Sequence, residues 1–149
     1  MKIRMSIAAV GVAALLGTGA FVLPAAASGH SESESHTLKF ISVQDKSTMF
    51  TQTTGAEQDT DVNKAGKVIG FDMIYFAVSS KTTAALNLTL DTTGGFLYGT
   101  LTVNTSTGAI TNGKVTGGTG SFTGATGTIK AKNLNQAGTR TAVTITYTT

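Results

Sequence analysis

Apolar residues in this chain recur with a period of two, in short runs separated by Gly, Asn and Asp. That is the period of a half-buried β-strand, not of a helix. Thr83 to Leu90 alternates cleanly, with Ala84, Leu86, Leu88 and Leu90 on one face and Thr83, Ala85, Asn87 and Thr89 on the other. DTTGG then predicts a turn, and Phe96 to Asn104 alternates again, Leu97, Leu101 and Val103 opposing Phe96, Tyr98, Thr100 and Thr102. Further strands are predicted at Thr37–Asp45, Ala109–Thr116, Gly127–Asn133 and Thr139–Tyr147. Lys67–Val78 (KVIGFDMIYFAV) is apolar on both faces. A helix is the competing reading there, but Gly70 and its β-branched neighbours weigh against it. As a strand it is expected to be covered on both sides, by the barrel interior and by a neighbouring subunit or loop. The segment between Asp45 and Gly66, rich in Thr, Gln, Asp and Gly, reads as a polar loop with a short strand around Met49–Thr51. No convincing helix is predicted. Turn signals every 8–12 residues indicate an all-β barrel or sandwich with antiparallel neighbours.

The first 36 residues break this texture. Lys2 and Arg4 precede an apolar run from Ile7 to Val22, then Pro24 and Ala25-Ala26-Ala27. Such a pattern predicts a secretory signal peptide over 1–27, cleaved after Ala27, and a secreted, extracellular product with no membrane span after its removal. Residues 28–36 (SGHSESESH) read as a flexible polar leader, leaving 37–149 as one β domain. Without Lys2 and Arg4, nine basic residues face eight acidic ones. No basic cluster remains to engage a nucleic-acid backbone, so no nucleic-acid partner is expected. Cysteine is absent, which removes disulfides, thiol nucleophiles and thiolate metal sites. Trp is absent too, so a sugar-binding platform of stacked Trp is excluded.

The stretch VTGGTGSFTGATGTIK, Val115–Lys130, holds five glycines in sixteen residues. Nucleotide binding is the first question it raises. Gly118 and Gly120 begin a G-x-G-x-x-G pattern, but Thr123 stands in the third position, and a strand-like segment follows where a helix is needed. No Gly-Lys-Ser/Thr closes a P-loop. The glycines are therefore read as corners that turn the backbone or bring it close to a neighbour. No cofactor is expected.

VTGGTGSFTGATGTI resembles the VxGGxGxFxxAxGxx signature of the allene oxide cyclase and dirigent barrel superfamily, here in a secreted member. AGKVIGFD, which opens an apolar strand, and the closing strand TAVTITY extend the likeness to roughly Leu38–Tyr147. The resemblance implies an eight-stranded antiparallel barrel, commonly a homotrimer, that binds a small apolar molecule in its lumen and guides cyclisation or stereoselective coupling without metal or nucleotide. The family's pocket glutamate falls near Ile41 or Val43, neither acidic, and its pocket cysteine near Asp72. Dirigent proteins use aspartates and an arginine, for which Asp45 and Arg140 are the available residues, neither in a matching motif.

Asp72 is the leading catalytic candidate. A carboxyl on an apolar strand resists ionisation and suits an acid or a hydrogen-bond donor, unless it is a structural aspartate bonded to its neighbours. Phe40, Phe76, Tyr98, Tyr147 and Arg140 are the candidate ligand-binding residues, with barrel filling as the plainer role for the two phenylalanines. Asp59 and Asp61 read as solvated loop residues, two carboxylates being too few for calcium. His30 and His36 lie in the leader, so neither joins a Ser/His/Asp triad. The sequons at Asn87 and Asn104 are the chance matches expected of a Thr-rich chain. Besides the lipophilic binder, catalytic or not, a β-sandwich adhesin remains open; a closed lumen against two open sheets separates them.

Overall fold

In the computed structural model, residues 34–149 are described, and among them eight strands close on themselves as an antiparallel barrel. They are β1 (Ser35–Met49), β2 (Thr54–Val62), β3 (Val68–Ser80), β4 (Thr83–Thr92), β5 (Gly95–Asn104), β6 (Ile110–Gly118), β7 (Thr126–Asn133) and β8 (Arg140–Thr148). Each strand pairs with the next, and β1 returns to β8 through nine residue pairs from Ser35–Thr148 to Val43–Arg140. Every connection is a short turn, the arrangement that a β-meander reaches with least loop entropy. The sandwich alternative is thereby excluded.

Closure gives the two-residue alternation its meaning: outside the bulges, one residue in two faces the lumen. Leu90, Leu97 and Ile145 from three strands meet there, the last two with no solvent exposure, and form a close-packed layer with Phe40, Leu88 and Val143. Burying each such side chain contributes about 1.5–3 kcal/mol.

This layer lies towards one end of the barrel, and the glycine-rich segment seals that end. Between β6 and β7 the chain makes a 3-10 turn at Gly120–Phe122 and drops the Phe122 ring inward, 5.4 Å from Tyr147 in an edge-on contact. Gly120 has φ +59°, and a Cβ there would lie 2.4 Å from the Gly94 carbonyl oxygen in the β4–β5 turn. Gly118 is as confined, because a Cβ would meet the Phe122 side chain at 2.4 Å. The glycines therefore act as corners and close contacts, and no helix follows them.

Two expectations change, and a third concerns the outer surface. The polar loop assigned to 46–66 is largely β2, paired with β1 and β3 over its whole length, and Met49–Thr51 is the end of β1 and the turn after it. The strand β1 begins at Ser35, so His36 belongs to the barrel and stacks 5.3 Å from Tyr147. The outward face of β3 is left largely open by the described residues: Phe71 and Met73 are about half exposed, and Phe50 approaches Tyr75 at 6.4 Å. The predicted signal peptide and residues 28–33 lie outside the described residues. Among those described, no helix is long and apolar enough to cross a membrane.

Gly120→Ala tests the sealing turn. The left-handed backbone alone disfavours the substitution by about 1–2 kcal/mol, and the carbonyl contact adds to that. A loss of at least ~2 kcal/mol in chemical denaturation is expected; a loss below ~0.5 kcal/mol, the range of an ordinary surface substitution, would show that the turn does not hold the fold.

Candidate functional site

Above the packed layer the lumen is hollow. A cavity of about 290 Å³ reaches from the middle of the barrel to the rim opposite the Phe122 seal. Its wall is apolar, with Phe76, Val78, Leu86, Val103 and Ile110 around the middle, and the exposed Thr105 stands at the mouth. Asn133 and Thr141 share the rim, where the Thr141 hydroxyl donates to Asn133 Oδ1 at 3.1 Å. The Asn133 amide in turn donates to the Gly108 carbonyl at 3.3 Å, tying the β5–β6 and β7–β8 turns together.

The floor is polar. β2 turns Glu57, Asp59 and Asp61 inward in strict alternation, and Asp72 of β3 is the direct cross-strand partner of Asp59. Asp61 faces Gly70, where a Cβ would lie 2.4 Å from the Asp91 carbonyl oxygen, and lies fully buried behind Asp59 and Asp72. From β1, Ser42 points inward and donates its hydroxyl to Asp59 Oδ2 at 2.5 Å. That bond leaves much of the acceptor capacity unused. Asp59 Oδ1, Asp72 Oδ1 and both oxygens of Asp61 are buried with no donor from the protein.

Burial governs the ionisation of this group. Loss of solvent pushes the Asp72 carboxyl up to about 9, with the charges of Asp61 and then Asp59 adding to the effect. Asp61 is raised to about 7, again chiefly by burial, and is held back by the neighbouring Asp72 carboxyl. The two carboxyls influence each other and titrate as a pair. Asp59 is raised by burial, lowered by the Ser42 hydroxyl and raised again by Asp45. Glu57, half-buried nearer the mouth, is raised by burial and by Asp59, and lowered by a hydrogen bond from Gln44. At neutral pH Asp72 is therefore a neutral acid beside a partly ionised partner. No group of three or more acidic, His or Cys side chains among the described residues is disposed to hold a metal ion.

Of the residues singled out from the sequence, Asp72, Phe40 and Phe76 line this cavity. Phe76 packs over Gly55, whose Cβ would come within 2.4 Å of its ring. Tyr98 stands on the outer face and Arg140 is exposed at the start of β8, both outside the lining. Tyr147 is buried at the sealed end against Phe122 and His36, away from the cavity. Asp45 sits at a β-bulge of β1, exposed, accepting from the Thr60 hydroxyl at 2.6 Å. The solvated-loop reading of Asp59 and Asp61 is overturned, since both are buried lumen residues. Ser42, Glu57, Asp59 and Asp61 went unrecognised as site residues. One signal did exist: acidic side chains at 57, 59 and 61 repeat with the period of a strand.

No family model matches the chain, and no curated protein shows significant similarity to it.

The carboxyl pair makes stability pH-dependent. Between the unfolded value of 3.8 and the folded values near 7 and 9, the folded protein holds protons that the unfolded chain has released. The pair's contribution to stability is thus fully present only below 3.8 and is lost as pH rises through 7 and 9. Thermal unfolding at pH 5, 7 and 9 should show a falling midpoint, and Asp72→Asn should raise the midpoint at pH 9 far more than at pH 5. A wild-type midpoint that climbs across this interval would contradict the assigned ionisation.

Proposed function

We propose that the protein is a secreted barrel of the allene oxide cyclase/dirigent type that binds one small, mainly apolar molecule in its lumen. The observation that carries this reading is the hollow itself, apolar along its wall and polar at its floor. An apolar cavity of roughly 150 Å³ admits benzene, so one of about 290 Å³ suits a molecule of two small rings or a medium-length chain. Such a void is costly. Larger apolar side chains filling its wall would bury more surface and add stability. Eight-stranded barrels are readily filled by their own side chains, so a lumen left open favours a guest.

A second reading, confinement with catalysis of a cyclisation or coupling, is favoured by one feature: Asp72 presents a neutral carboxyl to the cavity. An acid of this kind can donate to a ligand oxygen as charge develops on it, while the wall fixes the conformation of the chain. The non-catalytic binder requires only the cavity. Self-association, including the homotrimer common among the barrels that this chain resembles, is supported by the exposed apolar row Phe71, Met73 and Tyr75 on the outside of β3.

Native mass spectrometry of the secreted protein should reveal a co-purified organic guest and the mass of any trimer. Val103→Trp, which inserts an indole into the cavity wall, should reduce guest occupancy at least tenfold while the barrel's circular dichroism is retained. Equal occupancy in the two proteins would remove the lumen from consideration as the binding site.

A further inference from the structure

Charge in this barrel is segregated by the alternation of its strands. The lysines of β1, β6 and β7 (Lys39, Lys46, Lys114, Lys130 and Lys132) are all exposed. Inside, Glu57, Asp59 and Asp72 line the cavity and Asp61 lies behind them, with no Lys, Arg or His in the lining. The strands packed across the lumen offer no compensating charge, since β4, β5 and β8 turn Leu88, Leu101 and Val143 towards it. Asp45, at the bulge of β1, adds a further negative charge nearby. Low-dielectric walls concentrate such a field.

The unfilled acceptors belong to two residues that line the cavity floor. Asp59 and Asp72 are 7% and 5% exposed, both line the cavity, and each has an Oδ1 without a donor. A buried oxygen left so costs free energy that a donor from the guest would recover. An alcohol brings one hydroxyl proton and no charge. A carboxylate brings no donor and is repelled. An alkylammonium brings three N–H donors and the opposite charge.

We infer that the lumen takes a small amphiphilic amine, its ammonium head held between Asp59 and Asp72 at the floor and its hydrocarbon body against Phe76, Val78, Leu86 and Val103. This rests on the lumenal-binding reading and specifies the chemical class of its ligand. The head enters first, because the polar groups are at the blind end and the apolar wall lies between them and the mouth. The ammonium replaces the proton that Asp72 carries at neutral pH, so binding releases a proton to the buffer. The same field disfavours anionic lipids, including free fatty acids.

Isothermal titration calorimetry at pH 7 with n-octylammonium chloride, n-octanol and sodium octanoate separates these ideas, because the three share one chain and differ in the head. The expected order is ammonium, alcohol, carboxylate, with the ammonium Kd at least tenfold below that of octanol. Enthalpies measured in buffers of different ionisation heat should report proton release for the amine alone. Asp59→Asn with Asp72→Asn should bring the amine-to-alcohol ratio close to one. Should that double variant fail to fold, wild-type titrations at pH 5 and pH 8 serve instead, with the ratio expected to shrink at pH 5, where Asp61 and Asp72 are protonated. Equal affinities for amine and alcohol, or tightest binding of octanoate, overturn the inference but leave the apolar cavity standing as a binding site. Failure of all three to bind removes the cavity reading as well.

Discussion

Closing eight strands into a cylinder sends every second side chain to the lumen, whatever its chemistry, and most of this protein's properties follow from that constraint. For seven strands the inward set is largely apolar, and the barrel gains its core from Leu90, Leu97 and Ile145. For β2 the inward set is Glu57, Asp59 and Asp61. The pairing of β1 with β8 closes the sheet around these carboxyls, and Glu57 and Asp59 line the cavity. Hydrogen bonding along both edges of β2 holds the backbone in place despite the unfavourable burial of its side chains.

The two ends of the barrel have opposite roles. One is sealed by the turn around Phe122, where glycines let three chain segments approach within the space of a methyl group. The other remains open between turns braced by Asn133 and Thr141. The seal keeps water from the floor on one side, and the wall restricts it on the other. A partly dehydrated floor is what raises Asp72 and couples it to Asp61. Cavity, field and proton are therefore consequences of one geometry. Its cost is visible in the unpaired oxygens of three aspartates, a departure from the satisfied polar interior of most domains that points to a site.

Legibility differed between the strands for physical reasons. Where the inward face is Leu, Ile or Val, alternation in the sequence reports the strand directly, and β4 and β5 were read with their faces correct. Where the inward face is carboxylate, the same alternation exists but its polarity is reversed. A reader guided by hydrophobicity then sees a loop. Asp72 was conspicuous because it interrupts an apolar run, whereas Asp59 and Asp61 stood among residues as polar as themselves. Aromatic residues misled in the other direction: Tyr98 belongs to the outer face of β5 and Tyr147 to the sealed end, since ring chemistry alone does not say which side of a strand, or which level of a barrel, a residue occupies.

The sequence by itself determined an all-β chain of short alternating strands, free of disulfide staples, with glycine corners in place of a phosphate-binding loop. Those are local properties, set by backbone freedom and side-chain period. Tertiary structure alone decided that β2 is a strand, that Asp59, Asp61 and Asp72 meet, and that a hollow remains above them. Each of these depends on which residues lie opposite one another after the ends of the sheet join, and that register is a property of the closed barrel, not of any segment within it.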